Sequence, residues 1–268
     1  DGLDSRARTT QPRGPSRANG RWRSVRGPEP MLGRFLEVSI HAPDVPASVE
    51  FYESLGFVQA AVGDTWSHAY AVVTDGRLHL GLHGYEFDSP ALTWVRPDLA
   101  FHAPALESLG IEFAFAKLGD EAFHELGFLD PSGQMITLIE ARTYSPPAFA
   151  TAASSQLGYF EEFGVPTTDL DRSTAFWDAL GLVAFDPIRA PFAKVVASHR
   201  DLNVGLYDTD LKRPVLTFSD PGMPERIAEL RDKGLHFVDK LPRGMNAREN
   251  ALLEAPEGTW LLLTTSSA

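Results

Sequence analysis

Apolar and polar positions along the chain predict short strands grouped around a helix. Residues 34–42 alternate between apolar and polar side chains, as expected of a half-buried strand. The residues after it place one apolar face on a helix, at Ser48, Phe51, Tyr52 and Leu55. Strand-like runs follow near 57–63, 66–74 and 77–84. The predicted order is therefore strand, helix and three strands.

A second unit of this kind follows directly. Its predicted elements are a strand near 97–102, a helix near 103–109 and strands near 111–117, 122–129 and 134–140. Asp130-Pro131-Ser132-Gly133 is typical of a hairpin turn between the last two strands. Residues 157–265 repeat the plan of the first half, after a linker at 142–156 that is rich in Pro, Ala and Ser.

The two halves repeat each other residue by residue. Five residues of the first predicted helix recur 125 positions later: Asp44, Ser48, Phe51, Leu55 and Gly56 become Asp169, Ser173, Phe176, Leu180 and Gly181. The same offset relates Glu37 to Glu162, and an offset of 124 relates Gly81 to Gly205. Agreement over a whole domain length indicates duplication. We predict domains at 33–141 and 157–266.

The repeated helix carries its own start and stop signals. Asp44 is a good N-cap residue, and Pro46 suits the first turn of a helix. Gly56 follows the last apolar position and fits a left-handed C-terminal cap. Both ends of this helix are therefore predicted from the sequence.

Charge and composition exclude several classes of function. The 268-residue chain has a net charge of −12 and no cysteine. An acidic protein is a poor non-specific ligand for nucleic acid or an anionic membrane. Without cysteine there are no disulfides, thiolate nucleophiles or zinc–thiolate sites. No apolar run is long enough to span a bilayer, so we expect a cytoplasmic protein with a small-molecule partner.

The N-terminal residues 1–32 differ from the rest of the chain. Residues 1–30 hold seven arginines and many Pro, Gly and Ser residues, with few apolar side chains. Such a segment cannot bury enough apolar surface to fold. We predict a disordered leader, with Met31 as a natural start. The alternative is a basic interaction tail.

The sequence resembles the vicinal oxygen chelate superfamily, which includes glyoxalases, bleomycin-resistance proteins and extradiol dioxygenases. The resemblance rests on the strand at 34–42, the Asp-x-x-x-Ser-x-x-Phe-Tyr-x-x-Leu-Gly-Phe helix at 44–57 and the Asp-Pro-x-Gly hairpin at 130–133, and it covers about residues 33–266. It implies an α+β fold, with four βαβββ modules paired into two tandem domains that each enclose a cleft. A monomer or a homodimer would suit this architecture.

The resemblance also implies where a metal would bind. In metal-using members the ligands come from the first, fifth and last strands of a domain. Carried onto the first half, these positions are Glu37, Asp98 and Glu140. In the second half they are Glu162, a residue near Val215, and Thr265, which do not form a divalent-metal site. The resemblance thus implies one divalent ion (Fe, Mn, Ni or Zn) in the first half.

Further candidate residues follow from strand alternation, because every second side chain shares a face. His41 would share a face with Glu37, His79 and His83 with Gly81, and His102 with Asp98. Trp66 and Tyr70 are candidate ligand-binding aromatics. Glu37 and Glu162 are functional carboxylates, partners of an arginine such as Arg34, or carboxylates exposed at a cleft mouth.

Three hypotheses account for these residues. The first is a metal-dependent lyase, isomerase or dioxygenase in which Glu37, Glu140 and His102 are catalytic. The second is a metal-free protein that binds or sequesters a small molecule, as bleomycin-resistance proteins do. The third, compatible with either, is a second half that serves mainly as a built-in partner for the first.

Overall fold

The computed structural model describes residues 31–62, 67–120, 123–141 and 155–265. These segments form sixteen strands and four helices in the order β1 (Arg34–His41), α1 (Val45–Ser54), β2 (Val58–Ala60), β3 (Tyr70–Thr74), β4 (His79–His83), β5 (Ala91–Arg96), α2 (Leu99–Ser108), β6 (Phe113–Lys117), β7 (Glu125–Leu129), β8 (Met135–Glu140), β9 (Tyr159–Pro166), α3 (Leu170–Ala179), β10 (Val183–Ala184), β11 (Ala193–Ser198), β12 (Asn203–Asp208), β13 (Val215–Ser219), α4 (Met223–Asp232), β14 (Phe237–Val238), β15 (Ala251–Glu254) and β16 (Trp260–Thr264).

The strands form two sheets of eight with the same topology. The first has the order β2-β3-β4-β1-β5-β8-β7-β6, and the second has the order β10-β11-β12-β9-β13-β16-β15-β14. In each sheet two modules of one strand, one helix and three strands meet where their first strands pair antiparallel. The predicted α+β fold of four βαβββ modules in two tandem units is therefore confirmed.

One predicted strand was wrong. The sequence favoured a strand at 97–102, but the fifth strand is β5 (Ala91–Arg96), and residues 99–108 form helix α2. All six residues of β5 are buried, so the strand lacks the apolar–polar alternation that marks a half-exposed strand. Asp98 consequently lies at the N-cap of α2 rather than on a strand.

The ends of helices α1 and α3 follow the predicted capping chemistry. The side chain of Asp44 accepts a hydrogen bond from the backbone N–H of Ala47 at 3.1 Å, and Asp169 accepts one from Arg172 at 3.0 Å. Gly56 has a φ angle of +91°, in the left-handed region that favours glycine. The capping prediction for α1 is confirmed, and the repeat extends it to α3.

The two halves pack reciprocally through these helices. Tyr52 of α1 donates a 2.7 Å hydrogen bond to Glu257, which lies in the turn between β15 and β16 of the other half. In the equivalent place Trp177 of α3 donates a 3.3 Å bond to Asp130, in the turn between β7 and β8. Both aromatic side chains are fully buried, and one hydrophobic core joins both halves.

No helix in the described part of the chain is long and apolar enough to cross a membrane. Apart from Met31 and Leu32, the predicted leader lies outside the described residues, as does most of the predicted linker. The predicted domain limits stay a prediction.

Candidate functional site

Each half buries one glutamate at the centre of its sheet. Glu37 on β1 is 2% exposed, and Glu162 on β9 is 3% exposed. A glycine lies beside each carboxylate: a Cβ atom at position 81 would overlap the carboxylate of Glu37, and one at position 205 would lie 2.8 Å from Glu162 Cδ. The recurring glycines therefore make room for the carboxylates.

In the first half, a tyrosine, a serine and a histidine donate hydrogen bonds to Glu37. Tyr70 donates to Glu37 Oε2 at 2.6 Å, and Ser39 donates to Oε1 at 2.9 Å. His83 Nε2 lies 2.9 Å from the same Oε1, and because a carboxylate oxygen only accepts, His83 is the donor. Thr93 lies behind Ser39, with 2.7 Å between the two hydroxyl oxygens. We call Glu37, Tyr70 and His83 the first-half centre.

A second imidazole connects this centre to the surface. His68 Nε2 lies 3.1 Å from His83 Nδ1, so the chain Glu37–His83–His68 leads from a buried carboxylate to a half-buried histidine. The rings of Tyr85 and His68 lie 4.4 Å apart, and Tyr85 is 43% exposed. Burial and the neighbouring His83 lower the pKa of His68, which favours its neutral form as a proton carrier.

The second half surrounds its glutamate differently. Lys194 donates to Glu162 Oε1 at 2.6 Å, and Tyr207 donates to the same oxygen at 2.6 Å. The Tyr207 hydroxyl also lies 2.9 Å from Thr217 Oγ1. Burial and the nearby carboxylate of Glu162 raise the pKa of Tyr207, so its hydroxyl stays protonated. Glu162, Lys194 and Tyr207 form what we call the second-half centre.

The two centres occupy equivalent sheet positions. Tyr70 is the cross-strand partner of His83 in the first sheet, and Lys194 is the partner of Tyr207 in the second. In the same way Glu37 pairs with Thr93, and Glu162 with Thr217. Glu37, Tyr70 and His83 were predicted as site residues from the sequence, and Lys194 was not. The offset of 124 from Tyr70 was the signal that could have found it.

The other predicted ligand-binding residues of the first half are His79, His41 and Trp66. His79 is on β4, and burial lowers its pKa while Glu37 and Asp75 act in the opposite direction. The ring of His41 lies 6.4 Å from that of Phe87. Trp66 lies outside the described residues.

The candidates Asp98, Glu140 and His102 are gathered at helix α2 rather than beside Glu37. Glu140 Oε2 accepts from the backbone N–H of Leu99 at 2.9 Å and lies 2.8 Å from His124 Nδ1. His102 lies on α2 with its ring 3.1 Å from the guanidinium of Arg96. The expected face shared by His102 and Asp98 was wrong, because both belong to the helix segment.

Arg34 is not the partner of Glu37. Its guanidinium binds the carboxylate of Asp201 in the second half, with Nε 2.7 Å from Oδ2. The interpretation of Glu37 as an arginine-paired carboxylate is therefore wrong for Arg34. The same ion pair adds a polar contact between the halves.

The cross-strand neighbours of Glu37, at the positions where the resemblance implied the other metal ligands, are not metal-binding residues. Its partner on β5 is Thr93, and the partner of Thr93 on the last strand β8 is Thr137. The equivalent residues of the second half are Thr217 and Leu262. Neutral hydroxyl and alkyl groups are poor ligands for a divalent ion. Across the described segments, no three His, Cys, Asp or Glu side chains are grouped so that they could hold a metal.

Comparison with known proteins identifies the fold through solved structures. No protein-family model matches the sequence, and no curated protein matches it. Solved structures do match: catechol 2,3-dioxygenase at a TM-score of 0.55 and 15% identity, over 87% of this chain and 88% of that one. The E323L mutant of homoprotocatechuate 2,3-dioxygenase from Brevibacterium fuscum matches at 0.60 and 15%, over 90% and 73%.

A third match is similar in extent. The 2,2',3-trihydroxybiphenyl 1,2-dioxygenase from Sphingomonas wittichii has a TM-score of 0.56 and 16% identity, over 87% of this chain and 90% of that one. The chain therefore has the vicinal oxygen chelate fold in two tandem domains. Within that fold, its arrangement is the one seen in extradiol dioxygenases. At this level of identity the likeness concerns the fold alone.

Proposed function

We propose that this protein is an enzyme that moves a proton on a small oxygenated substrate in the cleft of its first half. The observation that carries the proposal is the hydrogen-bonded chain from buried Glu37 through His83 to His68. A carboxylate held in a dry site can take a proton, and imidazoles titrate near neutral pH. This geometry supports isomerisation or elimination next to a carbonyl group.

Each residue has a defined part in such a reaction. Glu37 takes the proton as general base, and the hydroxyl of Tyr70, 2.6 Å away, holds its carboxylate in place. Burial and the adjacent Glu37 raise the pKa of Tyr70, so Tyr70 stays a donor throughout. To pass this proton on, His83 changes to the tautomer that carries hydrogen on Nδ1. Its Nε2 then accepts the proton of Glu37 while Nδ1 gives its own proton to His68, from which it reaches solvent. Tyr85 and Phe87, whose rings lie 5.1 Å apart, border the route on the outer side.

The test is solvent deuterium exchange. Hydroxyacetone, pyruvate and acetophenone are incubated with the protein in D2O, and loss of the α-proton signal is followed by NMR. We expect exchange above the buffer rate for at least one probe, and a loss of about 100-fold or more in Glu37→Gln. The matched control is Glu53→Gln, which changes an exposed glutamate on α1 and should leave the rate unchanged. Equal rates for wild type and Glu37→Gln, or no exchange for any probe, would refute the proposal.

A second candidate is metal-dependent chemistry of the lyase, isomerase or dioxygenase kind. It is favoured by the extradiol dioxygenases among the structural matches and by the carboxylate–imidazole pair of Glu37 and His83. Thr93 and Thr137 at the neighbouring positions oppose it. Elemental mass spectrometry of the purified protein decides between the two. Near-stoichiometric Fe, Mn, Ni or Zn that is lost in both Glu37→Ala and His83→Ala would replace the proton-transfer proposal.

The same experiments address a protein that binds a small molecule without reacting with it. A protein that only binds a small molecule has no need of a proton route between Glu37 and solvent. A probe that binds saturably, shows no exchange and leaves the metal content at trace level would favour binding or sequestration.

A further inference from the structure

A cavity lies over the second-half centre. Its volume is about 310 Å³, and its wall includes the side chains of Glu162, Lys194 and Tyr207. Pockets that hold small molecules start at roughly 300 Å³, so this one suits a ligand with a single ring. The polar wall is built into the sheet, since Glu162 and Tyr207 are almost fully buried.

The polar groups at the floor have unused bonding capacity. Among the described side chains, both donors to Glu162 reach its Oε1, which leaves Oε2 able to accept from a ligand. One of the three N–H groups of Lys194 donates to Glu162, and the Lys194 side chain is 23% exposed. Its ammonium can therefore donate to a ligand beside the accepting carboxylate.

The charges of Lys194 and Glu162 determine which ligands can bind at the floor of this cavity. Lys194 and Glu162 neutralise each other at 2.6 Å, so a bound anion would meet Glu162 and a bound cation would meet Lys194. A neutral group with an acceptor next to a donor satisfies both. The rest of the wall mixes apolar side chains, Phe192, Met245 and Leu262, with polar ones that include Glu161, Asn203 and Ser219. Glu161 is exposed to solvent and accepts a hydrogen bond from Ser219, so the contacts of the ligand with the buried floor are those with Glu162 and Lys194. The ring of Phe192 lies 4.9 Å from that of Tyr207.

We infer that the second-half cleft is a separate binding site for a neutral molecule of one-ring size that presents a carboxamide-like donor and acceptor to Glu162 and Lys194. Its apolar ring packs against Phe192, Met245 and Leu262. Recognition at this site depends on the ion pair, because the neighbouring strand positions hold Thr217 and Leu262. Neither of these side chains carries a charge. It is independent of the proton-transfer centre in the first half.

Four probes of similar size test the ligand class. Benzamide carries donor and acceptor, benzoate only acceptors, benzylamine only donors, and toluene neither. Binding is measured by saturation-transfer NMR and titration against the full chain. We expect benzamide to bind about tenfold or more tightly than each of the other three, since it alone forms both hydrogen bonds.

Variants locate the binding. Lys194→Met removes the donor, and Val196→Phe fills the cavity from β11 while leaving the ion pair in place. Both should lose benzamide binding at least tenfold. Lys240→Met, which changes a half-exposed lysine of the same half, should bind as the wild type does. If Lys194→Met does not fold, Val196→Phe still decides.

Two results would overturn the inference. One is that benzamide binds no more tightly than toluene, and the other is that its affinity is unchanged in Val196→Phe. Failure of the deuterium-exchange test would leave this site untouched, because that test reports on Glu37. Conversely, loss of binding in Val196→Phe with normal exchange would separate the two clefts.

Discussion

The two centres share a frame and differ in the groups that surround the glutamate. Both place a buried glutamate between a glycine and a threonine, at equivalent strand positions. In the first half the partners of the glutamate are Tyr70 and His83. In the second half they are Lys194 and Tyr207. The same position therefore carries a hydroxyl on β3 and an ammonium group on β11.

This difference separates two kinds of chemistry. A carboxylate held by a tyrosine and a histidine has a route for protons, because His83 continues to His68. A carboxylate held by Lys194 is neutralised in place and offers fixed hydrogen bonds to a ligand. Duplication has thus given one fold two centres with different partners for the buried carboxylate.

Lys194→Met should have the largest effect on stability. It leaves Glu162, 3% exposed, as a buried charge without its cation, and breaking such a pair costs about 3 kcal/mol or more. Urea denaturation measures the loss. Adding Glu162→Gln should restore most of the stability, because the uncompensated charge is then gone. A loss below about 1 kcal/mol would show that the ion pair is not what stabilises Glu162.

Gly81→Ala tests the frame that both clefts share. The added Cβ would overlap the carboxylate of Glu37, which Tyr70 and Ser39 hold in place. Overpacking of this kind costs about 1–3 kcal/mol. Proton exchange should also fall, since Glu37 is displaced. Thermal unfolding of Gly81→Ala beside Gly205→Ala compares the halves, and an unaltered melting temperature in both would argue against a fixed carboxylate.

Tyr70→Phe should have a smaller effect than Lys194→Met. It removes one neutral donor and leaves Glu37 with Ser39 and His83, so we expect a loss of about 1–2 kcal/mol. Denaturation of the two variants under one set of conditions checks the order. If Tyr70→Phe proved as costly as Lys194→Met, the distinction between a hydroxyl and an ammonium partner at this position would fail.

Acidification should have the smallest effect. Burial lowers the pKa of His79 in the first half and of His199 in the second, below their ordinary value of 6.5. Both are neutral when folded, so their contribution is present above pH 6.5 and is lost as the pH falls through and below that value. We expect the melting temperature to drop by about 2 °C or more between pH 7.5 and 5.5.

Leucine variants assign this acid sensitivity to one half or the other. His79→Leu and His199→Leu should each flatten the dependence of the melting temperature on pH, because the titrating group is gone. A full pH dependence in both variants would mean that other groups cause it. A flattening in only one would place the acid sensitivity in that half.

The fold was predictable because its signals are local and occur twice. Asp44 and Gly56 mark the ends of α1, and their copies mark α3, so an accidental pattern is excluded. Strand β5 was misplaced because it is buried throughout. Its partners β1 and β8 lie far away in the sequence, and only the sheet shows that this segment is a strand.

The site was predictable only in part. Glu37 was identified from its recurrence as Glu162, yet Asp98 and Glu140 were grouped with it. Asp98 is the N-cap of α2, and Glu140 at the end of β8 accepts a hydrogen bond from the first residue of that helix. The misplaced β5 caused that error, since Thr93 holds the position opposite Glu37. Lys194 has apolar neighbours in β11 and no motif of its own. Its pairing with Glu162 depends on the register of three strands, which local pattern does not contain.

The reciprocal packing of α1 and α3 has a consequence for cooperativity. Tyr52 is covered by a turn of the second half, and Trp177 by a turn of the first. Neither half alone can therefore seal its own helix from water. The halves should melt as one thermodynamic unit, with a calorimetric enthalpy that matches the van't Hoff value for the whole chain. The sequence predicts two domains, and we expect both to fold together as one cooperative unit.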